Sequence, residues 1–361
     1  MRFGTLIISP LRVALVAVLC AIPALGARAD EPWDTKLEET VKKLQQRFKG
    51  RIAVFVADHA LGSRGGYDYE TPSYLASGVK ITFMVESFRQ IQAGTLSLDD
   101  ELVYDEQAIR DGAPKLNQRP LGSKLKLREV LEIMIKDSDN SASDMILGRI
   151  GIENVNSGMK KLGFDGFTTL THLIDVRKGT LREVDIAADD LTPAEIRAFR
   201  WVNGWEAQAS KLCEMIGRPA GTYKGNDLKA GFDRFYALGL NSAKLPTMAA
   251  LLESLSEKTL ISPEASEKML ALMTNTHTSR ARILGKLPPG TPVAHKTGSQ
   301  WERICDLGII GLPDKHALVF TACLAGGNDR ALAEATLADL ARAAYDLAVA
   351  QHKGHPVSAN R

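Results

Sequence analysis

Three short runs of the sequence hold residue types that can make and break an acyl bond. The first is Ser77-Gly78-Val79-Lys80. On a helix, positions i and i+3 share a face, so a lysine amine at 80 is within reach of a serine hydroxyl at 77. A serine hydroxyl is a poor nucleophile until a base takes its proton, and a lysine serves once desolvation lowers its pKa. The pattern recurs at Ser123–Lys126 and Ser157–Lys160, so on its own it also describes an ordinary solvated helix face. The second run is Ser138-Asp139-Asn140, where a hydroxyl and a carboxamide two residues apart can relay a proton and bond an amide. It is equally a good N-cap sequence for a helix beginning near Ser141. The third is His295-Lys296-Thr297-Gly298-Ser299, at the end of a strand-like run. Lys296 offers a positive charge for a carboxylate, and Gly298, without a side chain, lets a substrate backbone lie against the edge. Alternation puts Lys296 and Gly298 on one face and Thr297 on the other, and twist at the edge can turn the Thr297 hydroxyl toward a groove.

The elements that must position these runs fall into a simple order. Thr35-Lys36-Leu37-Glu38 has capping-box spacing and opens a helical pattern to about Phe48. Arg51–Asp58 is rich in apolar and β-branched residues, and the Gly-rich turn at Leu61–Gly66 suggests a hairpin. From Ser77 to about Met273 apolar residues recur at helical spacing. Strand signals return at Pro292–Thr297, Ile304–Leu312 and Leu318–Leu324, and a helix runs from about Arg330 to Ala350. Strands at both ends around a helical middle imply an α/β (α+β) fold. One antiparallel sheet is built from both termini (30–75 plus 276–361), flanked by helices, with an inserted all-helical lobe (76–275). A groove is expected where lobe and sheet meet.

The 361 residues are 45% hydrophobic and 24% charged, a composition that supports a buried core. Residues 1–29 carry Arg2, Arg12 and Arg28 and no acidic residue; without them the chain has 42 basic and 43 acidic side chains, a net charge of −1. A near-neutral body gives no electrostatic reason to expect nucleic acid or anionic membrane as a partner. The apolar run Val13–Ile22, followed by Pro23 and Ala27-Arg28-Ala29, has the order of a secretory signal peptide cut before Asp30. The expectation is a secreted, periplasmic chain with no membrane span after processing. Cys213, Cys305 and Cys323 then remain; Cys305 and Cys323 lie on neighbouring strand-like runs and could pair, but free buried thiols are the expected state. His59, His172, His277, His295 and His316 are scattered, with no H-E-x-x-H and no paired cysteines, and there is no P-loop or dinucleotide fingerprint. No metal or other cofactor is expected.

The order S-x-x-K, S-D-N, K-T-G resembles the signature of class A β-lactamases and penicillin-binding proteins. The resemblance extends to Gln92–Asp100, Leu251–Glu253, Leu260–Pro263 and Leu287–Gly298, covering roughly Arg51–Ile174 and Asn241–Leu324. It implies that Ser77 is acylated, that Lys80 helps to deprotonate it, and that Ser138 and Lys296 pass the proton and hold a substrate carboxylate. Thr297 and Ser299 would share that task and Asn140 would bond the acyl-side amide. The backbone N–H groups of Ser77 and Ser299 would form the oxyanion hole. The implied substrate is a small molecule, a β-lactam or a D-alanyl peptide, handled by a monomer.

Two features depart from the pattern. The glutamate that activates water for deacylation in class A enzymes would fall near Ile174. The nearest carboxylates are Asp175, Glu183 and Asp185, with Glu195, Glu206 and Glu214 further on, and a segment at 176–240 reads as an insertion. Within it, Thr192-Pro193-Ala194-Glu195 reads as a helix cap. The carboxylate-binding arginine is also not obvious; Arg280 and Arg303 are the stand-ins considered. β-Lactam hydrolysis leads, a D-alanyl-D-alanine carboxypeptidase or related amide or ester hydrolase is the alternative, and a non-catalytic binder of peptidoglycan fragments the third.

Overall fold

The computed structural model describes residues 32–354, so the expected leader at 1–29 lies outside the described residues. In chain order the elements are α1 (Pro32–Leu44), β1 (Arg51–Asp58), β2 (Ser63–Tyr67), β3 (Ser73–Tyr74), α2 (Lys80–Gln92), β4 (Glu101–Tyr104) and β5 (Ser123–Lys126). A helical stretch follows: α3 (Leu127–Lys136), α4 (Asn140–Ile150), α5 (Ile152–Lys161), α6 (Leu173–Arg182), α7 (Pro193–Arg200), α8 (Trp205–Met215) and α9 (Gly225–Ala237). The chain closes with β6 (Ser242–Ala243), α10 (Leu245–Ser256), α11 (Pro263–Met273), β7 (Val293–Gln300), β8 (Arg303–Gly311), β9 (Ala317–Ala325) and α12 (Arg330–Gly354).

The main sheet has the order β2-β1-β9-β8-β7, all antiparallel, so the first strands and the last three interleave as expected. Both faces are covered, which is why β1 reads as an unbroken apolar run. Alternate residues point to opposite faces of a strand. Ile52, Val54 and Val56 pack with Trp33, Leu37 and Val41 of α1 and with Leu337, Leu340 and Ala344 of α12. Ala53, Phe55 and Ala57 join the larger core that contains Ile81, Phe83 and Val85 of α2 and Leu251 and Leu252 of α10. The inserted helices bury a third, separate cluster, including Leu181, Ile196, Phe199, Leu212 and Leu228.

Four expectations change. The lobe at 76–275, expected to be all-helical, also carries β4 paired with β5, and β6 paired with β3, where the chain crosses between helices. Helix α1 begins at Pro32, not at Thr35. Proline suits a first helical turn, Trp33 is fully buried, and Asp34 ties the helix to β2 by accepting from Gly66 N–H at 2.6 Å. Cys305 and Cys323 are not free thiols. They are directly opposed in the β8–β9 ladder and joined as a disulfide; Cys213 is free and buried. Of the repeated S-x-x-K runs, Ser123–Lys126 is strand β5, and Ser157–Lys160 lies on α5 with Lys160 exposed. Only the run at Ser77 buries its lysine.

Candidate active site

The three chemical runs meet where the start of α2, the α3–α4 turn and the edge strand β7 converge. Ser77 sits in a short 3-10 turn, Ala76–Val79, that leads directly into α2. Ala76 has φ of 49°, a left-handed conformation unusual for a residue with a Cβ. Strain of this kind costs on the order of 1 kcal/mol or more and persists only where the surroundings over-determine it. Here they do: Leu75 N–H donates to Asn241 O at 3.0 Å and Gly78 N–H to Leu75 O at 2.9 Å. Gly298 completes the clamp, because a Cβ there would stand 2.1 Å from Leu75 O. The missing side chain at Gly298 is thus what lets the Leu75 carbonyl pack against β7.

Lys80 is fully buried. Its Nζ donates to Ser138 O at 2.5 Å, to Asn140 Oδ1 at 2.8 Å and, at 3.4 Å, to Ser138 Oγ. Those contacts use the three ammonium protons, and Ser77 Oγ is not among the acceptors. Lys296, also fully buried, donates to Ser138 Oγ at 2.9 Å and to Thr297 O at 3.0 Å. Ser138 Oγ thus joins the two amines. Desolvation pulls the Lys80 pKa down to about 7, against the pull of Asp139 and Asp144. Lys296 falls well below its ordinary value, again first by burial and then by the charge of Lys80.

The Ser-Asp-Asn turn is the helix cap that its sequence allows. Asp139 is the N-cap of α4, accepting from Ala142 N–H at 2.9 Å through Oδ1, while Oδ2 accepts from the N–H groups of Lys115 and Leu116. With Asp139 spent on structure, Ser138, at φ of 59°, and Asn140 turn toward the lysines. Asn140 Nδ2 donates to Asp111 O at 2.8 Å. On β7, Thr297 is buried and Ser299 exposed. Arg282, which the sequence reading passed over, stands behind Ser299. It is buried and donates to Ser299 Oγ at 2.6 Å and to Gly298 O and Cys305 O at 2.8 Å. No local motif marks Arg282; only the fold carries it beside β7. Arg280 is exposed, and Arg303 lies over the Tyr236 ring, 4.2 Å from its centroid.

None of the carboxylates named from sequence joins this group. Asp144 Oδ1 and Oδ2 accept from Leu173 and Ile174 N–H at 2.7 and 2.9 Å, which pins the start of α6 beside α4. Asp175 and Glu206 are exposed, and Glu183 stands 3.8 Å from Arg234. Asp185 is held low by Arg218, by the Ala187 N–H and by Tyr223. Glu195 and Thr192 form the expected capping box of α7. Glu214 pairs with Lys211. Two histidine placements differ from a scattered set. His295 bonds Asp306 and Thr276 beneath Lys296. Asp314, His316 and His352 bring three ligand-type atoms within 4.8 Å of one another, although His352 is already bonded to Asp58 and Asp314.

The same fold occurs in solved structures. A variant of the penicillin-binding protein PBP-A, seen as an acyl-enzyme complex with penicillin G, aligns with a TM-score of 0.65 at 17% identity over 87% of this chain and 96% of that one. A variant of the TLA-1 extended-spectrum beta-lactamase gives 0.67 at 17% identity over 87% and 99%. Among sequences, beta-lactamase SME-1 of Serratia marcescens is 26% identical over 155 residues, 42% of this chain and 52% of that protein. Beta-lactamase VEB-1 of Pseudomonas aeruginosa is 21% identical over 349 residues, 94% and 98%. The match to SME-1 spans about half of that relative's length, whereas VEB-1 aligns almost throughout. A family model described as the beta-lactamase enzyme family matches residues 36–348, and the chain belongs to that family.

Proposed function

We propose that the protein is a serine hydrolase that works through a Ser77 acyl-enzyme, with the β-lactam amide as its leading substrate. The observation that carries this reading is Ser138 Oγ held between two buried amines, 2.9 Å from Lys296 Nζ and 3.4 Å from Lys80 Nζ. A lysine whose pKa burial draws down to about 7 can lose its charge at neutral pH and take the Ser77 proton as the hydroxyl attacks the carbonyl. Ser138 then relays that proton to the departing nitrogen. The N–H groups of Ser77 and Ser299 stabilise the oxyanion. Lys296, Thr297 and Ser299, backed by Arg282, hold the substrate carboxylate. Asn140 keeps Lys80 in place and faces the acyl-side amide.

A second reading, a D-alanyl-D-alanine carboxypeptidase or related hydrolase with a slow β-lactam adduct, draws on one observation. Leu173 and Ile174 occupy the start of α6 beside Asp144, and no acidic side chain of the inserted segment reaches Lys80 or Ser138 among the described residues. No helix among those residues is long and apolar enough to cross a membrane. Export through the 1–29 leader and action as a periplasmic monomer complete the proposal. Intact-protein mass spectrometry with benzylpenicillin, from seconds to hours, tests it. A Ser77-dependent adduct that clears as penicillin is consumed is expected, a persistent adduct favours the second reading, and no adduct overturns both.

A further inference from the structure

Beyond Gly298, strand β7 runs into a cavity of about 390 Å³ that the inserted helices close from the other side. Its wall includes Arg177, Arg200 and Trp205 from the insertion, Ser299 and Trp301 from β7 and the turn after it, and Arg330 from the start of α12; no acidic residue lines it. Trp205 and Trp301 meet edge to face, with ring centroids 4.6 Å apart, and give one side a flat apolar surface.

The charge of this cavity is not balanced from within. Arg177 clamps Asp111 with Nε and Nη2, each at 2.9 Å, and its Nη1 is buried with no hydrogen-bond partner. Arg200 Nε stands 3.6 Å from the same carboxylate, beyond hydrogen-bond length, and is likewise buried without a partner. Two guanidinium groups therefore share one carboxylate. Arginine does not shed its proton to escape such a position. Burial, followed by the repulsion of Arg177, holds Arg200 below its ordinary pKa, as expected of a cation short of an anion. Arg330, exposed, is paired with Glu334, a carboxylate it shares with Arg282.

The cavity adjoins the site at Ser299. Ser299 belongs to both, and β7 is the outer strand of the sheet, so an extended chain laid along it from Ser77 would pass Ser299 and Gln300 and arrive between Trp205 and the arginines. We propose that this cavity binds the acyl arm of the substrate and selects arms that combine an apolar, preferably aromatic, body with a carboxylate, which completes the Arg177–Asp111–Arg200 cluster. This inference rests on the Ser77 acyl-enzyme reading and adds its substrate class. A carboxylate bonding to the guanidinium groups of Arg177 and Arg200 that line the cavity forms charge-assisted bonds, which together raise affinity on the order of tenfold or more.

The test is a matched pair. Acylation efficiency is measured with benzylpenicillin and with its α-carboxy derivative, which differ only by a carboxylate on the acyl arm. The carboxylated compound is expected to lead by about tenfold, with the ratio falling toward one in Arg200→Gln and partly retained in Arg200→Lys. In parallel, Ser77→Ala protein is titrated with phenylacetamide and its α-carboxy analogue, read by tryptophan fluorescence. The carboxylated amide should bind about tenfold more tightly, and this arm needs neither acylation nor an arginine variant. Equal behaviour of both pairs overturns the inference. Selective binding of the carboxylated amide without acylation by either penicillin would uphold the subsite and overturn only the Ser77 reading.

Discussion

Two clusters of cations lie on either side of Asn140, which accepts from Lys80 and donates to Asp111 O, and the protein treats them differently. Around Ser138, Lys80 and Lys296 are wholly buried, and neither has a carboxylate within hydrogen-bond reach. Their answer to desolvation is a lowered pKa, so the amines can exist without charge. In the inserted segment, Arg177 and Arg200 keep their charge and share Asp111 instead. A group that can lose its proton suits chemistry, and a group that cannot suits the holding of an anion. The choice between lysine and arginine thus fits the proposed division of labour, with the lysines for proton transfer and the arginines for recognition.

Lys80→Arg exchanges one answer for the other and should have the largest effect. A guanidinium at position 80 cannot accept a proton, so acylation of Ser77 is expected to slow by roughly 10²–10⁴-fold, the usual contribution of a general base. Stopped-flow acylation with benzylpenicillin measures it, and an unchanged rate would remove Lys80 from the proton path. In the parent protein the same rate should rise with pH through about 7, because the depressed pKa frees the amine at neutral pH. A profile that rises only near the ordinary lysine value, or falls through pH 7, would contradict this.

Asp111→Asn attacks the other cluster. Removing the carboxylate leaves two largely buried arginines without their anion, and breaking a buried pair in this way costs about 3 kcal/mol or more. Urea unfolding is the measurement, and added small carboxylates should recover part of the loss if the cluster accepts an external anion. The smallest effect is expected from Thr192→Ala. It removes the capping box that starts α7, the helix ending in Arg200, and should cost about 1 kcal/mol with little change in the Ser77 reaction.

The reacting end was the more legible part because its parts are local. Ser77 and Lys80 are three residues apart, Ser138 and Asn140 two, and Lys296, Thr297 and Gly298 are consecutive on β7. The Thr192–Glu195 cap was legible for the same reason. Arg282, Arg177 and Arg200 were not, since nothing in their neighbours distinguishes them from surface arginines. What marks them is burial against strands and helices distant in the chain. The disulfide was misjudged because composition alone does not set cross-strand register, and Cys305 opposite Cys323 is a register fact.

By itself, then, the sequence determined the element order, the two-ended sheet and the three runs that meet at Ser138, because periodicity and short-range spacing are properties of the chain. The tertiary structure alone decided which lysines are dry enough to lose a proton and that the Leu75 carbonyl packs where a side chain at position 298 would stand. It also decided that a carboxylate position near Ile174 is held by Asp144 through backbone bonds and that two arginines of the insertion share one anion. Those depend on solvent exclusion and on atoms brought together from remote segments, which no local pattern specifies.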